Sequence, residues 1–488
     1  MRSGTSEEHA AMKIFSFFDQ KKACPTGETQ GVTILTGDPK KAIISLSGPM
    51  IIAMLLMSSY NIVNAIWVVG LGSDALAAVG FMTPLYMVLM GLGTGIGAGA
   101  TSAIARRIGA NDRNGANNCA VHALLLALIL SVIVTLPLVI FAEQIALLFG
   151  AGETAGLAVA YGQVLFGGSF FILFVNIAYG ILRAEGDARR TMHAMVAASL
   201  LNIVLDPILI YRLGLGIAGA AWGTIISLAA ATIVLCYWFF IKKDTYVCFS
   251  RQVFMPSRSV VSDILSVGIP ASVEYLLMSA LNIILNLILV MVATTDAVAV
   301  FSVGFRVVSF GIVPIVAIGT SVVSVVGAAY GAKHFRKIRV AHTFSIIFGL
   351  SIAFSVSVLT GIFAYPIASV FSYSQQSAHL YPAIAAFIGV MCFFYPFVPL
   401  GLLSSSVFQG VGKGPTSLFL TFMRSLVFAA VFAYLFAIPM GIGEQGVWWG
   451  IVAGEVAGGL LGFVWARLYL SKLEAQGLCE VRKSEAGA

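Results

Sequence analysis

Charge is scarce in this chain. Only 10% of its 488 residues are Asp, Glu, Lys or Arg, against about 25% in soluble proteins. With 59% hydrophobic residues and a mean hydropathy of +0.97, that scarcity excludes a water-soluble globule and indicates an integral membrane protein. Histidine is scarce too. His9, His122, His193, His334, His342 and His379 lie mostly in or near loops, without metal-ligand spacing or a nucleophile constellation. An enzyme is therefore not expected. The six cysteines (Cys24, Cys119, Cys236, Cys248, Cys392 and Cys479) show no paired spacing, so neither a disulfide framework nor a zinc motif is expected. The first forty residues are polar and contain five acids, so a cleaved signal peptide is not expected.

What is present is hydrophobic length. Twelve helical spans are predicted, roughly 42–70, 77–105, 118–142, 157–182, 190–211, 216–241, 262–293, 297–327, 341–363, 380–408, 415–437 and 445–468. Each suffices to cross a bilayer, which takes about 20 apolar residues. The 50 glycines fit such helices, where they permit close contact.

The bases set the orientation. Of the 28 Lys and Arg, 25 fall in the two tails and in alternate connections, at 106–113, 183–190, 242–258, 333–339 and 413. The opposite connections carry Asp74, Glu143, Glu153, Asp296 and Glu444 with one base, Arg212. The positive-inside rule then predicts a multi-pass protein of the cell membrane with both termini cytoplasmic. A net charge of +7 arranged this way is a topology signal, and no nucleic-acid partner is expected.

The chain repeats. "GSDALAAVGF" from Gly72 is echoed by "TTDAVAVFSV" from Thr294, and Asp74 and Asp296 are 222 positions apart. Gly109 in "IGAN" and Gly331 in "YGAK" show the same offset, whereas "GAAWG" from Gly219 and "GVWWG" from Gly446 are offset by 227. The expected fold is all-α and integral to the membrane. Two six-helix bundles are related by a pseudo-two-fold axis along the membrane normal, since an even number of spans preserves direction. The predicted divisions are a cytoplasmic tail at 1–41, an N-lobe at 42–241, a linker at 242–261, a C-lobe at 262–470 and a second cytoplasmic tail at 471–488. A monomer is expected.

Five ionisable residues fall well inside spans: Asp206, Glu274, Arg306, Arg424 and Glu455. Each is a functional candidate by its cost in lipid. For the last four, the alternative is internal pairing of Glu274 or Glu455 with Arg306 or Arg424. Asp206 belongs to "LLNIVLDPILIY", where Asn202 lies four residues before it and shares its helix face. At 1.5 Å per residue, Asp206, Thr224 and Asn64 lie about 8, 12 and 9 Å below the outer ends of their spans. Asn64, Asn202, Asp206 and Thr224 can thus share one level and offer hard oxygen donors suited to a cation. Pro207 also removes the helical donor to the carbonyl of Ile203, a fifth candidate oxygen. The repeat supplies a control: opposite Asn202, Asp206 and Thr224 the second half has Phe428 or Ala429, Phe432 or Ala433, and Gly450 or Ile451.

In "YNIVNAIWVVGLGSDALAAVG", "LRAEGDARRTMHAMVAASLLNIVLDPILI" and "VFQGVGKGPTS", and in their order and duplicated layout, the chain resembles the multidrug and toxic compound extrusion (MATE) transporters. The resemblance runs from Leu35 through the twelfth span. It implies export of small amphipathic, often cationic compounds by antiport with Na⁺ or H⁺, with no cofactor. It also implies a cation site at Asn202, Asp206 and Thr224. One position departs: the family usually has Asp where this chain has Asn64. Two close carboxylates can share a proton, and one Asp among amides cannot. This departure questions proton coupling through the pair and leaves open a single-carboxylate Na⁺ site or uncoupled or altered transport. The alternative function is a lipid-linked saccharide flippase of the same broad superfamily, which calls for a more cationic cavity than Arg306 and Arg424 provide.

Overall fold

The structure, a computed structural model, describes residues 28–249, 254–293, 295–372 and 378–486. Eleven helices among them are long and apolar enough to cross a membrane, and a bent pair supplies a twelfth. In chain order they are α1 (Pro39–Val69), α2 (Ser73–Gly109), α3 (Arg113–Ile140), α4 (Gly152–Gly167 with Ser169–Ala184), α5 (Ala188–Arg212) and α6 (Gly216–Lys242). The second half follows with α7 (Arg258–Val292), α8 (Asp296–Gly331), α9 (Phe335–Ile362), α10 (Ala378–Gly410), α11 (Gly414–Ala437) and α12 (Glu444–Gln476). Helix continues beyond α12 to Ala486, past the predicted end of the last span.

Side-chain caps start several helices at the basic end. The carboxylate of Asp38 accepts from the Lys40 amide at 3.0 Å, that of Asp112 from Gly115 at 2.8 Å, and that of Asp187 from Arg190 at 3.0 Å. Each satisfies an amide that the first helical turn leaves unpaired. Cys119, Cys236 and Cys392 are free thiols.

The duplication is visible in the backbone. Asn111 and Lys333, 222 apart, both adopt left-handed φ values of 57° and 56°. Gly214 and Gly216 recur as Gly441 and Gly443, with φ between 55° and 69°. A short helix at Ala142–Leu148 has its counterpart at Ala364–Phe371. Both α4 and α10 are interrupted: α4 bends by 45° at Gly168, and α10 is broken between Met391 and Val398. Helix packing repeats as well. In the first half α1 packs on α5, α2 on α3 and α4, and α5 on α6; α7 to α12 reproduce these pairings.

The halves meet through α1 on α8, its symmetry mate α7 on α2, and α2 on α8. A Cβ on Gly109 would strike the Ala328 carbonyl, and one on Gly331 would strike that of Arg106. The contacts are reciprocal, each glycine meeting the residue three before its own equivalent, as a two-fold axis requires. Only residues without a Cβ allow backbones so close. Beside this crossing Ser102 Oγ donates to the Gln409 carbonyl at 2.5 Å. Arg106 and Arg107 grip the two oxygens of Asp263 at 2.7 and 2.8 Å. The molecule is therefore joined across its halves at the basic end.

Candidate functional site

Asp206 sits in the last turns of α5, just before Pro207. Its residue is fully buried, and Asn202 is 2% exposed. The chain after Pro207 widens into a π-helical turn over Ile208–Arg212, a distortion that frequently accompanies functional sites. Across from it α6 presents Gly223 and Thr224. A Cβ on Gly223 would collide with Asp206 Oδ1 and would touch Asn202 Nδ2 at 3.4 Å. The carboxylate thus rests against the bare backbone of α6, with Asn202 beside it. Thr224 is 9% exposed, and its hydroxyl donates to the Ala220 carbonyl at 3.2 Å, which leaves its lone pairs available.

By strict hydrogen-bond geometry the Asp206 oxygens, the polar atoms of the Asn202 amide and Asn64 Oδ1 are all buried without a partner among the described residues, although the Asn202 amide lies close enough to the Asp206 carboxylate to interact with it. Buried polar groups are normally satisfied. The chemistry of such a set, one carboxylate among neutral oxygens, suits a monovalent cation or a proton. Sequence reasoning missed its aromatic surround. Tyr60 on α1 and Tyr161 on α4 lie within electrostatic reach of Asp206, and Tyr86 on α2 within reach of both. Above them Trp67 and Tyr211 pack edge to face at 6.3 Å, and Tyr211 Oη donates to the Trp67 carbonyl at 2.6 Å. This pair ties α1 to α5 at the outer end of the cluster.

The second half serves as an internal control. Gly450, the equivalent of Gly223 at offset 227, packs on Ala433, the equivalent of Asp206. There the glycine meets the backbone of Ala433 directly, whereas Gly223 meets the Asp206 carboxylate. Phe428, Phe432 and Phe436 form a stacked ladder there, with centroids 6.3 and 5.9 Å apart. Asn64 has a counterpart in Asn286, at the 222 offset, whose Oδ1 is also buried without a partner; among the described residues it is the carboxylate and the Asn202 amide that the second half lacks at the equivalent positions.

The other candidates separate into three kinds. Arg424 and Glu455 form a buried ion pair at 3.1 Å that joins α11 to α12. Glu274 on α7 takes neutral partners, accepting from Ser417 Oγ at 2.7 Å and, more distantly, from Gln409 Nε2 at 3.4 Å. Arg306 is exposed and forms no ion pair among the described residues.

A duplicated bundle of eleven to twelve spans, with a buried carboxylate inside one half, is the architecture of a membrane transporter. The sequence model of the MatE family matches residues 49–208 and 270–435, and the chain belongs to that family. The multidrug export protein MepA of Staphylococcus saprophyticus is 29% identical over 424 residues, spanning 85% of this chain and 90% of the relative. MepA of Staphylococcus aureus (strain NCTC 8325 / PS 47) is 30% identical over 425 residues, with the same coverage. Among solved structures, MATE in complex with MaL6 has a TM-score of 0.90 at 43% identity, covering 92% of this chain and 100% of the other. The outward-facing conformation of a multidrug resistance MATE family transporter has a TM-score of 0.89 at 42% identity, with the same coverage.

Proposed function

We propose that the protein is a multidrug exporter, moving small amphipathic, cationic compounds out of the cell by antiport with Na⁺ or H⁺. The observation that carries this reading is the buried Asp206 carboxylate beside the Asn202 amide and Asn64, a carboxylate whose equivalent in the second half is Ala433. In it Asp206 is the coupling residue. Asn202, Thr224 and Asn64 supply neutral oxygens, and both termini lie in the cytoplasm.

The coupling follows from charge. One carboxylate among neutral donors balances one monovalent cation. Without a cation, a buried carboxylate is costly and tends to take up a proton. Na⁺ and H⁺ therefore compete for the same oxygens, and Asn64 in place of a second acid favours the metal ion. Filling the site removes the cost of the buried charge and shifts the balance between conformations, by as much as the ion's affinities for them differ. The flippase reading gains no support from cations within the spans: Arg424 is paired with Glu455, and Arg306 stands apart from it.

The test is uptake of a cationic dye by liposomes containing the purified protein, with Na⁺ and pH gradients imposed separately. Accumulation driven by at least one gradient supports the exporter. Gradient-independent movement of a lipid-linked sugar, without dye transport, contradicts it.

A further inference from the structure

A groove at the basic end belongs to neither the coupling site nor the contact of α2 with α8. Its cavity measures about 1120 Å³. One wall is the start of α1 and the turn before it, Gly37 to Lys40; the other is α9 from Phe335 to Ile347, with Glu474 of α12 at its edge. The two walls come from different halves of the molecule. They are pinned together by Lys337, whose Nζ donates to the carbonyls of Thr36 at 2.7 Å and Gly37 at 3.1 Å.

The groove changes character along its length. At its mouth are Lys40, Lys333 and Arg336, all exposed and without a side-chain partner among the described residues. Arg339 pairs with Glu474 at 2.8 Å, and the Asp38 carboxylate caps the Lys40 amide but keeps its charge, so the lining sets five bases against two acids. Deeper along α9 come Val340, Phe344 and Ile347. Arg336, Val340, Phe344 and Ile347 recur at helical spacing and share one face of α9. From Arg336 to Ile347 that face descends about 16 Å toward the membrane interior.

Three unpaired cations above an apolar wall match one kind of ligand: an anionic head joined to a hydrocarbon tail. A soluble phosphate would use the cations and leave the wall unexplained. We propose that this groove binds one anionic phospholipid of the adjoining leaflet, its phosphate among Lys40, Lys333 and Arg336 and an acyl chain along Val340, Phe344 and Ile347. Because its cations come from both halves, the bound lipid braces their junction at the basic end. Each base near the phosphate strengthens lipid binding, so the site outranks the diffuse attraction of a scattered basic surface.

The test uses the full chain in detergent, with dioleoyl-phosphatidylglycerol as the probe. Lipid adducts are counted by native mass spectrometry, and the melting temperature is read in parallel. Wild type should retain phosphatidylglycerol over phosphatidylcholine and melt at a higher temperature with it. Lys40→Gln combined with Arg336→Gln, one change in each half, should weaken retention roughly 30-fold and abolish the thermal shift. Arg189→Gln, at an exposed arginine outside the groove, should change neither. Equal retention of both lipids overturns the proposal. So does equal loss in Arg189→Gln, which would indicate diffuse attraction. Thermal protection by inorganic phosphate alone assigns the site to a soluble ligand and overturns the lipid. Retention without a thermal shift overturns the bracing role.

Discussion

Gly223→Ala is the smallest change that addresses the cation cluster without removing any of its oxygens. A Cβ built there would lie 2.1 Å from Asp206 Oδ1, whereas ordinary contact begins at 3.4 Å. The carboxylate must retreat by about 1.3 Å. A cation held at about 2.4 Å by that oxygen would then sit about 3.7 Å away. At an effective dielectric of about 20, the attraction falls by about 2.4 kcal/mol. That corresponds to roughly 50-fold weaker binding. Helicity does not suffer, since Ala is the better helix former. The assay is Na⁺ titration of the purified variant by calorimetry, with thermal unfolding as the folding control. A folded Gly223→Ala protein with wild-type Na⁺ affinity would refute the assignment of Asp206 Oδ1 as a ligand.

Four further outcomes are expected. Asn64→Asp should shift dye efflux toward dependence on the pH gradient, because two close carboxylates retain a proton together; unchanged ion preference argues against Asn64 as a member of the cluster. Arg424→Ala should cost about 3–5 kcal/mol by leaving Glu455 charged, buried and alone, and a melting temperature within a degree of wild type contradicts this. Gly331→Ala should hold the halves apart at the basic end, raising maleimide labelling of a cysteine placed at Ser102 several-fold; unchanged labelling contradicts the tight crossing. Glu185, buried in the turn after α4, has its pKa pushed up to about 8 by burial, against the opposing amides of Val247 and Tyr246. A raised carboxyl pKa gives stability that is full below its unfolded value near 4.5 and is lost as pH rises through 8. Glu185→Gln should flatten that decline in a melting series from pH 5 to 9.

The span count was legible because hydropathy and alternating charge are both long-range patterns that a few misplaced residues cannot disturb. The repeat was legible at Gly109 and Gly331, where a turn imposes glycine in both halves. The breaks in α4 and α10 were not. Gly168 lies in a glycine-rich apolar run, and only tertiary packing against Ile225 of α6 marks it out. In the candidate site, Asn202, Asp206 and Thr224 could be named because polar atoms in an apolar run are costly. Tyr60, Tyr86 and Tyr161 could not, since a tyrosine in a span reads equally as packing. Gly223 was invisible for a similar reason, as one of many glycines in close helix contacts. The partners of Glu274 lie 135 and 143 residues away in the chain, and no local pattern joins them.

The central claim is that Asp206 carries the coupling ion. The direct measurement is dye efflux by wild type and Asp206→Asn in liposomes, with the Na⁺ and pH gradients set independently and folding checked by thermal unfolding. The amide is nearly isosteric and cheaper to bury than the carboxylate, so the variant should fold. The account predicts that gradient-driven efflux is abolished under both conditions. Transport by Asp206→Asn equal to wild type under a gradient that drives the wild type would contradict it and return Asp206 to a structural role.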